Sequence, residues 1–327
     1  MSIIETKNLT KKYGSLTAVD HISFDVEEGE VFGFLGPNGA GKTTTVRMLI
    51  TLIEPTEGTA EIAGYDIRKQ KNEVRKKIGV VFQEPALDTE LTGIENLEYH
   101  ARMYNIKKNI RKERIKEVLE LVDLSDKKDV IVKKYSGGMK RRLEIARGLM
   151  HSPTVLFLDE PTLGLDAQTR RVIWEYIERM NREENTTIFL TTHYMDEADY
   201  LCDRVGIINR GQILVMDKIK NLKNAIGNDV ITLSASKIKP LKEELERYDW
   251  IKKIKQYDHF LTLGVEKGEE KIPLVIEIAS KINVKIKSIN VRKPTLDDVF
   301  ISYTGKTLSE QENQTSVPPS IKNRGKR

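Results

Sequence analysis

The sequence predicts an α/β fold with a parallel sheet, joined to a smaller α+β unit, and three observations point there. Short β-rich runs alternate with helical stretches through residues 1–224, the order expected of helices packed on a parallel sheet. A glycine-rich turn, Gly36 to Gly41, lies between the β-rich Val31-Phe-Gly-Phe-Leu35 and a helix opening at Lys42. Beyond 225 the runs read βαββαβ, the split-βαβ order. At 327 residues the chain has room for about two domains.

Taken in order, Ile3 to Leu9, His21 to Val26 and Glu30 to Leu35 read as strands. Between Ile94 and Leu124 the apolar residues Ile106, Ile110, Ile115, Val118, Leu119 and Val122 recur at helical spacing, so a helical insertion is expected over about 84–150. Val155 to Leu158 is apolar throughout, as a buried parallel strand must be. Arg170 to Asn181 reads as helix and Thr187 to Thr191 as strand. The composition shifts near Ala225-Ile-Gly-Asn-Asp229, which sets expected domains at 1–224 and 225–305. The second holds strand 230–235, helix 240–248, strands 250–256 and 259–265, helix 270–282 and strand 284–292. Residues 306–327 are polar, carry Pro318-Pro319, and read as a disordered tail.

Composition narrows the function classes. Lys and Arg number 54 against 49 Asp and Glu, a net charge of +5, and residues 306–327 hold +3 of it. Runs such as Lys107-Lys108 and Arg111-Lys112 alternate with Glu113 and Glu117, the pattern of a solvated helix face, so no nucleic-acid partner is expected. No apolar run reaches the 18 residues of a bilayer span, and the start lacks the apolar stretch of a secretory signal. Cys202, the one cysteine, cannot form an internal disulfide and reads as a small buried apolar residue. A cytosolic protein is expected. His21, His100, His151 and His259 show no metal-ligand spacing.

The chemistry sits in three motifs. Gly36-Pro37-Asn38-Gly39-Ala40-Gly41-Lys42-Thr43-Thr44 fits G-x-x-x-x-G-K-[ST]. Its glycines let backbone N–H groups converge on phosphate, and the following helix adds its positive end. Lys42 would reach the β- and γ-phosphates of a nucleotide, and the Thr43 hydroxyl would ligate Mg²⁺. Asp159 ends the apolar strand and would hold Mg²⁺ through its water shell, while Glu160 could accept a proton from an attacking water. Ser136 is a natural N-cap for a helix containing Leu143, Ile145, Ala146 and Leu149, and Gly137 and Gly138 leave that helix start open to an anion.

With Tyr135-Ser136-Gly137-Gly138-Met139 set between the other two motifs, residues 1 to about 220 resemble the ATP-binding cassette (ABC) ATPases. These are P-loop NTPases with a parallel sheet core, a β-rich N-terminal subdomain and a helical insertion. The family signature is written L-S-G-G-Q, and here Tyr135 and Met139 replace its outer residues. The resemblance implies ATP and Mg²⁺ as ligands, and two cassettes facing each other. Ser136, Gly137 and Gly138 of one would then contact the γ-phosphate held by Lys42 of the other, with Asp166 on the loop that crosses between them. Tyr13 resembles the aromatic that stacks on adenine. Gln83 resembles the glutamine that senses Mg²⁺ or the attacking water and links it to the insertion, and His193 resembles the switch histidine at the γ-phosphate.

Lys293-Pro-Thr-Leu-Asp-Asp-Val-Phe300, followed by Thr304-Gly305, resembles the C-terminal motif of the drug-resistance subfamily, which serves exporters of antibiotics, lipids or polysaccharides. The expected function is an ATP-hydrolysing subunit. It would act as a homodimer on the inner face of the cell membrane, held there by a separate integral-membrane permease subunit. The C-terminal part of the expected fold is a ferredoxin-like α+β domain. Two other readings compete: a soluble ABC ATPase acting on nucleic acid or ribosomes, and an importer ATPase. The first is disfavoured by a single cassette without extended heptads, the second by the C-terminal motif.

Overall fold

The computed structural model describes residues 1–257 and 260–304; His259, Gly305 and the expected tail at 306–327 lie outside the described residues. The chain divides into a first unit, Met1–Met216, and a second that starts at Asp217, ahead of the composition shift at 225.

In the first unit β1 (Ser2–Tyr13) and β2 (Leu16–Ile22) form a hairpin, followed by β3 (Asp25–Glu27), β4 (Val31–Leu35) and α1 (Lys42–Leu49). β5 (Glu57–Ile62), β6 (Tyr65–Asp66) and α2 (Lys71–Lys77) lead to β7 (Ile78–Val81). The insertion is α3 (Gly93–Met103), α4 (Lys108–Leu121) and α5 (Gly137–Leu149). Then come β8 (Val155–Asp159), α6 (Ala167–Glu184), β9 (Thr187–Thr192), α7 (Met195–Leu201), β10 (Arg204–Asn209) and β11 (Gln212–Lys218). β1, β2, β3, β5 and β6 make an antiparallel sheet. The other sheet runs β11-β10-β4-β9-β8-β7, with β10, β4, β9, β8 and β7 parallel.

The apolar runs follow from coverage on both faces. Alternate residues Phe32, Phe34, Phe157 and Phe189 enter a core with Phe24, Ile4, Val26 and Ile62 from the antiparallel side. Phe189 sits at its centre, 5.3–6.0 Å from the rings of Phe24, Phe32, Phe34 and Phe157. The residues between them, Leu156, Leu158, Ile188 and Leu190, pack instead with Leu143 and Ile145 of α5 and Ile173 and Ile177 of α6. Cys202 is partly rather than fully buried, against the edge of this helical core.

Two expectations need correction. The strand expected over 21–26 is two strands, because His21 takes a left-handed φ of 48° and the chain leaves β2 at Ile22 before pairing with β1 again as β3. Between Ile94 and Leu124 the helical insertion consists of two helices. Thr92 and Glu95 form a capping box at the start of α3, and Asn105, at φ 54°, turns the chain into α4. Ile110, expected on the apolar face, lies in the first turn of α4 and is 53% exposed, whereas Ile115, Val118, Leu119 and Val122 further along are buried.

The second unit comprises α8 (Ile219–Asn224), β12 (Asp229–Ala235), α9 (Ile238–Leu245), β13 (Ile251–Tyr257), β14 (Phe260–Val265), α10 (Gly268–Lys281), β15 (Ile286–Arg292) and α11 (Leu296–Thr304). Its sheet is antiparallel in the order β13-β14-β12-β15, the ferredoxin-like arrangement. Ile231, Leu233, Leu261 and Leu263 on one face pack with Leu241 and Leu245 of α9 and Val275 and Ile278 of α10. No described helix is long and apolar enough to cross a membrane.

Candidate phosphate and catalytic site

Parallel pairing brings four loops together. Leu35 registers with Thr192, Asp159 with Thr191, and Val81 with Leu158, so β4, β9, β8 and β7 end on one edge of the sheet. The phosphate loop, His193, Asp159–Glu160 and Phe82–Gln83 leave that edge side by side, where ligands of open α/β sheets bind.

The loop after β4 is bent by glycine. Gly41 has a φ of 111°, and a Cβ there would stand 2.6 Å from the Ala18 carbonyl oxygen of β2. A Cβ on Gly36 would lie 2.2 Å from the carbonyl oxygen of Ile208. Pro37 and Ala40 are buried, while Asn38 and Gly39 are exposed at the crest. Thr43 and Thr44 are half-buried in the first turn of α1. The buried Lys42 ammonium turns into the loop, 2.8 Å from Gly36 O and 3.2 Å from Pro37 O. Thr43 Oγ1 lies 3.4 Å from Asp159 Oδ1, which the Thr191 hydroxyl also bonds.

Glu160 completes the cluster. It holds a left-handed φ of 48°, a conformation that costs a non-glycine residue about 1–3 kcal/mol. Its N–H donates to Thr191 O at 3.0 Å and to Thr191 Oγ1 at 3.1 Å, which fixes the turn. Its carboxylate then meets Lys42 Nζ at 3.3 Å through one oxygen and His193 Nδ1 at 3.2 Å through the other. Burial pushes this carboxyl up, but His193 and Lys42 together outweigh burial and hold it below its ordinary value. The carboxyl is therefore ionised at neutral pH.

The remaining expected residues make local contacts of their own. Ser136 caps α5 by accepting from Met139 N at 3.2 Å, and Ser136 and Gly137 are exposed. Gly138 packs α5 on α6, where a Cβ would sit 2.6 Å from Thr169 Cγ2. Asp166 caps α6, accepting from Thr169 N at 2.9 Å and Thr169 Oγ1 at 2.6 Å. Tyr13 ends β1 at the hairpin tip, with the Lys11 ammonium 5.3 Å from its ring. Gln83 is exposed two residues past β7. Tyr135 is buried and its hydroxyl donates to Lys127 O at 2.7 Å, so this departure from the signature anchors the loop internally. Met139 packs partly buried against the helical core.

Sequence reasoning missed two buried polar centres. Arg141, the middle of the basic run Lys140-Arg141-Arg142, is 6% exposed. Glu197 of α7 is buried and accepts from Thr162 Oγ1 at 2.7 Å and Trp174 Nε1 at 2.9 Å. The available signal for Arg141 was its position among Leu143, Ile145 and Ala146 on a helix with a buried face.

Residues 19–163 match the family described as "ABC transporter", and residues 218–304 match "ATP-binding protein DrrA1-3-like, C-terminal domain". The linearmycin resistance ATP-binding protein LnrL of Bacillus subtilis (strain 168) is 36% identical over 94% of this chain and 100% of its own length. The daunorubicin resistance ATP-binding protein DrrA2 of Streptomyces coeruleorubidus is 37% identical over 94% of this chain and 97% of its own. Among solved structures, a dimeric ATP-binding cassette in a post-hydrolysis state bound to ADP and Pi is 29% identical and superimposes with a TM-score of 0.59 over 66% of this chain and 98% of that one.

Proposed function

The chain belongs to the ABC transporter ATP-binding proteins, which bind and hydrolyse ATP, and from that premise we propose that it powers an exporter of a drug, antibiotic, lipid or polysaccharide. Two copies would work together with a separate integral-membrane permease subunit, which would hold them at the inner face of the membrane. Export is favoured over import by the match of residues 218–304 and by relatives named for resistance. The observation that carries the catalytic part is the Glu160 carboxylate meeting Lys42 and His193 at the mouth of the phosphate loop.

In this reading the loop amides and Lys42 bind the β- and γ-phosphates, drawing the ammonium off Glu160 and freeing that carboxylate. Tyr13 would stack on the adenine. Glu160 takes a proton from a water as its oxygen attacks the γ-phosphorus. The bond from that phosphorus to the β–γ bridging oxygen breaks, its electron pair stays with ADP, and inorganic phosphate departs. His193 would hold the γ-phosphate side of Glu160. The Thr43 hydroxyl and Asp159 carboxylate, 3.4 Å apart, are hard oxygen donors that suit Mg²⁺, with Gln83 completing the set. When bound there, such an ion would supply positive charge to the phosphoryl oxygens. Ser136, Gly137, Gly138 and Asp166 would meet the nucleotide of the opposing copy. That contact stabilises closure only while the γ-phosphate is present, since a ligand shifts an equilibrium only by differential binding.

Replacing Glu160 by Gln keeps the side-chain size and removes the base. ATPase activity of Glu160→Gln should fall at least about 100-fold with ATP affinity kept. Turnover at the parental rate would remove Glu160 from the chemistry.

A further inference from the structure

α5 carries more than the exposed Ser136–Gly137 turn. Along one side of the same helix Arg141, Glu144 and Arg147 recur every third residue, and their polar groups go chiefly to backbone. Arg141 Nη1 donates to Phe82 O at 2.6 Å, while its Nε and Nη2 donate to Pro161 O at 2.5 Å and Asp159 O at 3.3 Å. Glu144 Oε1 accepts from Ala86 N at 2.7 Å. Arg147 Nη1 donates to Ala86 O at 2.7 Å, and its Nη2 bonds the other Glu144 oxygen at 3.0 Å. The carbonyls of Asp159 and Pro161 flank Glu160, and Phe82 and Ala86 flank Gln83. One helix therefore grips both candidate catalytic residues by the backbone on either side.

We infer that Arg141, Glu144 and Arg147 are positioning residues, a clamp that sets where Gln83 and Glu160 stand relative to the helix whose first turn meets the second copy. The inference rests on the roles given to Gln83 and Glu160 above. Anchoring alone does not explain the trio, because Leu143, Ile145, Ala146 and Leu149 on α5 already dock the helix by apolar burial. Glu144 is fully buried and Arg141 nearly so, and buried ions persist only when paired and bonded. What the ions add is a defined path for two segments that have no side-chain anchor of their own at Gln83 and Glu160 toward α5. Movement of α5 on closing against a second copy would carry both segments with it.

The test is a double-mutant cycle on the full chain with Mg·ATP, using Glu144→Ala, Gln83→Ala and the pair. Glu144→Ala should lower kcat roughly tenfold with KM for ATP changed less than about twofold, and Glu144→Gln, which keeps an acceptor for Ala86 N, should recover most of the rate. The pair should be no slower than Gln83→Ala alone. Should Glu144→Ala prove insoluble, Arg147→Ala, at a site with 15% side-chain exposure, enters the same cycle with the same expectation. Multiplying rate losses in the pair, or a raised KM at unchanged kcat, would overturn the clamp while leaving the role of Gln83 standing. Parental turnover in Gln83→Ala would overturn the assignment of Gln83 and the clamp with it.

Discussion

Two buried carboxyls in this chain are pushed in opposite directions. Glu160 is held low by His193 and Lys42 against its burial, and so stays charged. Glu197 is raised, because burial outweighs the hydrogen bonds it accepts from Thr162 and Trp174. A carboxyl whose folded-state value lies above its unfolded value binds its proton more tightly when folded. The stability it contributes is present below the ordinary carboxylate range and is lost as pH rises through the raised value. Glu197→Gln keeps the acceptor oxygen and removes that titration. Its melting temperature relative to the parent should therefore climb with pH, reaching a gain of about 2 °C at pH 8. A difference that stays flat between pH 5 and pH 8 in thermal melts would show that Glu197 does not titrate in this way.

At the scale of elements, α11 shows what a local motif can specify. Thr295 N donates to Asp298 Oδ2 at 2.9 Å and Asp298 N to Thr295 Oγ1 at 3.4 Å, while Arg292 Nη2 reaches Asp298 Oδ1 at 2.7 Å. Leu296, Val299 and Phe300 are fully buried behind this cap. Asp298→Ala removes the cap and the partner of Arg292, at a cost of about 1–2 kcal/mol. Amide exchange over 299–304 should quicken while that of β12 holds; equal protection in both variants would contradict the cap's role. The Thr-x-x-Asp spacing and the apolar residues after it are adjacent in the chain, as are those of the phosphate loop and of the βαββαβ order, the two features legible beforehand. What was not legible depends on distant partners or single dihedrals. Nothing in the composition around His21 announces a left-handed residue, so β2 and β3 merged. The burial of Arg141 depends on distant carbonyls, those of Phe82 just past β7 and of Asp159 in β8. Likewise the meeting of Lys42, Glu160 and His193 follows from the register of β4, β9 and β8, which no local pattern encodes.

For the molecule as a whole, the arrangement separates two anion-seeking helix starts. α1 begins at Gly41 with Lys42 buried against Glu160, whereas α5 begins at an exposed Ser136 and Gly137 beside the Asp166-capped start of α6. The exposed Leu163 continues that surface. If the exposed start completes the site of an opposing copy, a negative charge placed there must repel the γ-phosphate without disturbing nucleotide binding in its own chain. Ser136→Asp makes that change cleanly, because Asp is as good an N-cap as Ser and α5 keeps its first turn. In a Glu160→Gln background, where ATP persists, the chain should dimerise on adding ATP in sedimentation velocity. Adding Ser136→Asp should weaken that dimer at least about 100-fold, since like charges brought together at an interface cost several kcal/mol. ATP affinity of the single chain should stay within about twofold. A dimer that forms as readily with the added carboxylate would place Ser136 away from any phosphate. Loss of ATP affinity in the monomer would put Ser136 in its own chain's site, and the paired arrangement would have no role left to fill.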